Sequence, residues 1–262
     1  MPKMPTKPFT ALLFVIFSLL SRPAPLQAMD EILFVYFDKF EPFSWAIDGE
    51  MKGIFVDAVN EIFQNRLKMR VNHSGFPWIR AQRMVKTGAA DGMCTISTCE
   101  RSNYTFPTEF SIIETEFKIY TGSDNIRLKE LKKISLIPEL KGFRIIDMLG
   151  SGWAESYLTE YDVQYEKTYN RLFILLENNR YDVSIRNNIQ TNYLINKLGY
   201  EDKIVELPQS IVPEKESYRI LISHNSELAK HLKEINDVLR EMHADGTLSR
   251  IKDKYLVKSE LQ

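Results

Sequence analysis

Apolar runs rich in β-forming residues alternate along this chain with stretches of helical period, and that alternation restricts the fold more than any other feature. Glu31 to Phe37 (EILFVYF) reads as a strand. A helix follows over residues 54–67, with Phe55, Val59, Ile62 and Phe63 on one face at i, i+4, i+7 and i+8. A short strand over 69–72 leads through Pro77-Trp78 into a second helix that stops at Gly88, a residue suited to the position after a helix end. Asp91 to Ile96 is the next strand. The middle of the chain repeats this order: strand 143–148, a turn at Leu149-Gly150-Ser151-Gly152, helices over 153–160 and 170–178, and strand 181–186. Strand 218–223 then precedes a helix capped by Ser226, whose Leu228, Leu232, Ile235, Leu239 and Met242 form an apolar stripe of core type. Gly246 ends it, and Leu248, Ile251 and Tyr255 pack a last short helix. The expected fold class is α/β, in two lobes, each a mainly parallel sheet flanked by helices.

The N-terminus points to export. Lys3 and Lys7 precede an apolar run, Phe9 to Leu20, then Arg22-Pro23-Ala24-Pro25 and a small residue, Ala28. This order predicts a cleaved signal peptide over 1–28 and a mature chain in the periplasm. The run is shorter than the roughly 20 residues of a spanning helix, so no membrane insertion is expected after cleavage. No cysteine adjoins the cleavage point to take a lipid. A formal net charge of −1 gives no electrostatic reason to expect a nucleic-acid partner.

Chemistry-bearing motifs are sparse. Export permits a disulfide between Cys94 and Cys99, but their short spacing leaves closure to geometry. A metal centre would need more ligands than these two, and none is assigned. His73, His224, His231 and His243 are scattered and read as surface residues. There is no G-x-S-x-G and no H-E-x-x-H, so no catalytic residue and no cofactor is assigned. Carboxylates are plentiful, which leaves an acid/base pair open.

Four stretches carry a resemblance. They are FEPFSWAIDGEMKGIFVDAVNEIF (40–63), PWIRAQRMVKTGAADGMCTISTCERSNYTFP (77–107), LENNRYDVSIRNN (176–188) and LREMHADGTLSRIKDKYL (239–256). In this order they resemble the family-3 extracellular solute-binding proteins, receptors of polar amino-acid ABC transporters. The resemblance spans about residues 30–260. It implies a type II periplasmic-binding-protein fold with lobe 1 from 29–117 and 216–262, and lobe 2 from 118–215. Two hinge crossings would lie near 113–121 and 210–218. A small solute would bind between the lobes, and lobe closure is a recognised hinge motion. A monomer working with an ABC permease is the implied assembly.

The resemblance also implies a site. Arg101, in Thr98-Cys99-Glu100-Arg101, would fork onto a ligand carboxylate, since a planar guanidinium matches two oxygens and an ammonium does not. Phe40 and Trp78 occupy the aromatic positions that bracket the ligand, and Thr95 and Thr98 would add donors. Ser151 and Gly152 would offer the N-terminus of a helix to an anion. Arg80 is a further candidate cation at the cleft. One departure stands out: where the family places an aspartate on the ligand ammonium, this chain has Asn187, between Arg186 and Asn188. An amide brings no countercharge, so binding of ordinary α-amino acids is expected to be weak, unless another acid such as Glu41 replaces the aspartate.

Two other classes fit the same residues. One is a standalone enzyme of the cyclic-amino-acid dehydratase type on this fold. The other is a binding module that presents its ligand to a sensor. Turnover would identify the first, whereas a receptor stabilised by a ligand it does not consume would be a binder.

Overall fold

The computed structural model describes residues 31–212 and 215–256, so the predicted signal peptide lies outside the described residues. The chain opens with β1 (Ile32–Phe37), buried along most of its length because it is an interior strand. β2 (Lys39–Phe40), β3 (Ser44–Ile47) and β4 (Glu50–Lys52) form a small antiparallel meander. Its second turn is the two-residue loop Asp48-Gly49, both at positive φ (52° and 85°), the backbone that Asp-Gly favours in tight hairpins. Gly53 then sits at φ 127°, where a Cβ would stand 2.4 Å from the Phe43 carbonyl oxygen. Only glycine lets the meander turn into the following helix at that distance.

That helix is α1 (Ile54–Asn60), and it passes without a break into a π-helical turn over Glu61–Arg66. The single helix expected over 54–67 is therefore two segments of different pitch, with Leu67 N donating to Ile62 O at 2.9 Å. Ile62 and Phe63 are both fully buried across the change. β5 (Val71–Phe76) starts two residues later than expected and runs parallel to β1. α2 (Trp78–Thr87) ends on left-handed Gly88 as anticipated. β6 (Gly92–Ile96), α3 (Cys99–Ser102), β7 (Thr105–Pro107) and β8 (Ile113–Thr115) complete this stretch.

The middle of the chain holds β9 (Phe117–Gly122), α4 (Leu128–Leu131), β10 (Ile145–Met148), α5 (Gly152–Tyr157) and β11 (Val163–Glu166). α6 (Tyr169–Glu177), β12 (Ser184–Asn187), α7 (Asn188–Leu198) and β13 (Ile204–Glu206) follow. β14 (Glu216–Ser223) then leads through a 3-10 turn capped by Ser226 into α8 (Leu232–Ala244) and α9 (Thr247–Leu256).

The first sheet has the order β5-β1-β6-β14-β7, with β8 also on β14. It draws on both ends of the described chain. The middle of the chain forms the sheet β12-β9-β13 and the pair β10-β11, linked by a parallel bridge between Ile145 and Val183. The sheets are mixed, which corrects the expectation of mainly parallel ones. β1 runs parallel to β5 and β6, and β10 to β11, but β14 is antiparallel to its three neighbours and β9 to both of its own. The exceptions are the strands that enter from the other half of the chain.

Each half has its own core. Ala81 and Val85 of α2 share a core with Val35, Met93 and Leu221, whereas Leu172, Phe173 and Leu176 of α6 share one with Tyr120 and Ile146. The C-terminal stripe is core, as read, with Leu228, Ile235, Leu239 and Met242 buried. Cys94 is buried in β6 and Cys99 is exposed at the start of α3, and both thiols are free. His73 is not a surface residue: half-buried in β5, it bonds Tyr36 Oη at 2.9 Å and Asn60 at 2.8 Å. Among the described residues no helix is long and apolar enough to cross a membrane.

Candidate functional site

The floor of the site is aromatic. Phe40 in β2 stacks against Phe43 at 4.6 Å between centroids, and Phe43 against Tyr218 of β14 at 5.1 Å and Phe55 of α1 at 5.2 Å. The meander is held on the sheet by Ser44, whose hydroxyl donates to the Phe37 carbonyl at 2.8 Å. Over this floor opens a cavity of about 230 Å³ lined by Phe37, Phe40, Ser44, Trp78, Cys94, Thr95, Ile96, Arg101 and Tyr218. Four of the predicted residues, Phe40, Trp78, Thr95 and Arg101, thus come together from four separate elements.

Arg101 is positioned by its neighbours. Thr98 caps α3, accepting from Arg101 N at 3.2 Å, so its hydroxyl serves the helix. The Arg101 guanidinium donates through Nε to Gln82 at 3.2 Å and through Nη1 to the Ile96 carbonyl at 2.9 Å. It lies over the Trp78 ring, 5.3 Å from the centroid. Among the described residues it makes no ion pair, and burial pulls its pKa down against nearby Tyr104 and Glu100. A half-buried guanidinium held by neutral acceptors keeps a full charge with which it can receive an anion. Arg80 is exposed and turned onto the Phe76 ring at 4.4 Å, away from the cavity lining.

The lobe-2 candidates do not line this cavity. Ser151 caps α5, accepting from Ala154 N at 3.4 Å, and takes a further bond from Arg186 Nη1 at 3.2 Å. Gly152 is the first residue of α5, which has only six residues. Arg186 is buried and paired with Asp147, and it also donates to the Tyr169 hydroxyl. Asp147 is pushed up by burial, with the Arg186 charge opposing. The Arg186 guanidinium is therefore already paired inside the protein.

Asn187 is buried and fully engaged. Its Oδ1 accepts from Gln190 N at 3.1 Å, capping α7, and its Nδ2 donates to Thr115 Oγ1 at 2.7 Å and to Glu216 Oε2 at 3.4 Å. The Glu41 carboxylate pairs with Lys197. The sequence pointed to neither Tyr218 nor Glu216. Both belong to β14, a strand whose place beside β6 and β8 is a matter of topology.

The mixed α/β architecture is that of the two-lobed type II periplasmic-binding-protein fold, and the cavity with its aromatic floor and guanidinium is set within it. Residues 138–258 match the sequence model of the bacterial extracellular solute-binding proteins, family 3, which bears out the resemblance read from the sequence. The chain is similar to PatH of Vibrio harveyi, a protein named as an amino-acid ABC transporter-binding protein, at 23% identity over 88% of this chain and 91% of that one. Substrate binding domain 2 of Lactococcus lactis GlnP shares the fold with a TM-score of 0.68, at 20% identity over 90% of this chain and 98% of that one. So does the L-cystine solute receptor of Neisseria gonorrhoeae, with a TM-score of 0.68 at 16% identity, over 86% and 92%.

Proposed function

We propose that this protein is a periplasmic solute receptor that captures a small carboxylate-bearing solute, an amino acid or related organic acid, for ABC-type import. The observation that carries this reading is Arg101, half-buried over Trp78 with no carboxylate of the described residues paired to it. Phe40 and Tyr218 offer flat apolar faces to the rest of the solute. The lobes would be 29–117 with 216–262, and 118–215, and they would close on the ligand about Glu116 and the return segment that ends at Glu216. The ligand is bound and released unchanged, and the protein acts as a monomer with a membrane permease. Names of relatives support amino-acid transport as the setting.

Calorimetry and thermal shift with amino acids, dicarboxylates and sugar acids test the reading. A carboxylate-bearing solute should raise the melting temperature without being consumed. Binding only of uncharged solutes, or turnover of the bound one, would sink it. Small-angle scattering should register compaction at saturating ligand.

A further inference from the structure

We infer that Glu216 is a specificity-determining residue of the cleft, the carboxylate that receives the positively charged amine of a zwitterionic solute whose carboxylate lies on Arg101. This rests on the proposed function and names the second pole of the same site. Glu216 opens β14, two residues before Tyr218, whose ring lines the cavity. Tyr218 Oη donates to Glu216 Oε2 at 3.2 Å, so the carboxylate adjoins the cavity through a shared hydrogen bond. Thr115 Oγ1 reaches the same oxygen at 3.5 Å, and Asn187 Nδ2 at 3.4 Å. All three donors are neutral and all three fall on Oε2.

The available cations nearby are spent elsewhere. Lys215, the preceding residue, pairs with Glu116 at 3.0 Å, and Arg186 pairs with Asp147. Among the described residues Glu216 therefore makes no ion pair, and neither does Arg101. The two are opposite charges, each half-buried and each held by neutral groups, and Tyr218 bonds Glu216 while lining the cavity together with Arg101. A half-buried carboxylate without a cation is costly to keep unless something binds to it. A solute with one anionic and one cationic group answers both charges at once. Asn187 then serves the site by holding Glu216, and the absence of an acid at position 187 does not leave an ammonium unmatched.

The test is calorimetry on the purified protein with the twenty L-amino acids and, for each that binds, the 2-hydroxy acid in which a hydroxyl replaces the amine. At least one amino acid should bind, and its 2-hydroxy acid about tenfold or more weaker. Glu216→Gln should lower affinity for the amino acid about tenfold or more while changing that for the hydroxy acid about twofold or less. Glu216→Asp, which keeps the charge, should retain preference for the amine and serves if the amide variant folds poorly. Equal loss for both ligands would mean a structural role only and would overturn the inference. So would an unchanged amino-acid affinity in Glu216→Gln. A wild-type protein that takes dicarboxylates or hydroxy acids in preference to every amino acid overturns it too, while leaving the proposed function standing. If Arg101→Ala binds as well as wild type, the proposed function itself falls.

Discussion

The Arg101 guanidinium lies 5.3 Å from the centroid of the Trp78 ring, with Nε bonded to Gln82 and Nη1 to the Ile96 carbonyl. Stacking and two neutral acceptors fix the plane of the fork before any ligand arrives. Arg101→Ala should weaken carboxylate binding by about 2–4 kcal/mol, because it strands the ligand's charge in a half-buried site. Arg101→Lys should rescue little of that loss, since an ammonium neither stacks flat nor forks. Calorimetry on the two variants checks both statements, with wild-type affinity in either one counting against them.

Asn187 joins three segments through one amide. Asn187→Ala removes the cap of α7 and the bond to Thr115, and should cost about 1–2 kcal/mol of folding stability in urea titrations. Asn187→Asp keeps the cap but sets a second carboxylate beside Glu216. Like charges that close disfavour joint ionisation, so this variant should lose more stability than wild type as pH rises from 5 to about 8.

Burial raises the pKa of Glu216, and its bonds to Tyr218, Asn187 and Thr115 offset only part of the rise. A carboxyl raised in the folded state stabilises the fold below its unfolded pKa, about 4.3, and that contribution is lost as pH climbs through the folded value. Glu216→Gln should remove this loss. The variant should gain stability relative to wild type between acid and neutral pH, read as a flatter plot of urea midpoint against pH. Loss of stability at neutral pH would show that the charge is satisfied in the free protein.

Cys94 is buried and its thiol is pushed well up by desolvation, whereas Cys99 is exposed. A thiolate-selective disulfide reagent should therefore titrate one thiol in the native protein and the second only after unfolding. Two fast thiols, or none before reduction, would contradict the free and unequal pair.

Gly53 is the tightest backbone approach in the meander. Gly53→Ala should destabilise the protein by more than about 1 kcal/mol, combining positive φ with a clash on the Phe43 carbonyl. Gly49→Ala, at positive φ with open space around it, should cost less. Thermal melts of the pair separate steric collision from conformational preference.

The local order of this protein was written in its sequence. The run EILFVYF reads as a strand, the Asp48-Gly49 turn as a hairpin, and the stripe from Leu228 to Met242 as one face of a helix, because each depends on neighbours within one or two turns. Phe40, Trp78, Thr95 and Arg101 were legible through the family resemblance of the stretches that hold them. The mixed strand directions were not legible, since direction depends on which half of the chain a strand enters from. The partnership of Arg186 with Asp147 was hidden as well: two buried charges 39 residues apart find each other only when β10 and β12 lie together. Glu216 reads in sequence as one more surface acid before a strand. Only when β14 pairs with β8, and β12 turns Asn187 toward Thr115, does that acid become half-buried, bonded and uncompensated. Sequence determined the elements by local periodicity, and the family resemblance pointed to Arg101 as the first pole of the proposed site. The tertiary structure decided the surroundings of Glu216, the proposed second pole, because desolvation and charge pairing are properties of neighbours brought from distant parts of the chain.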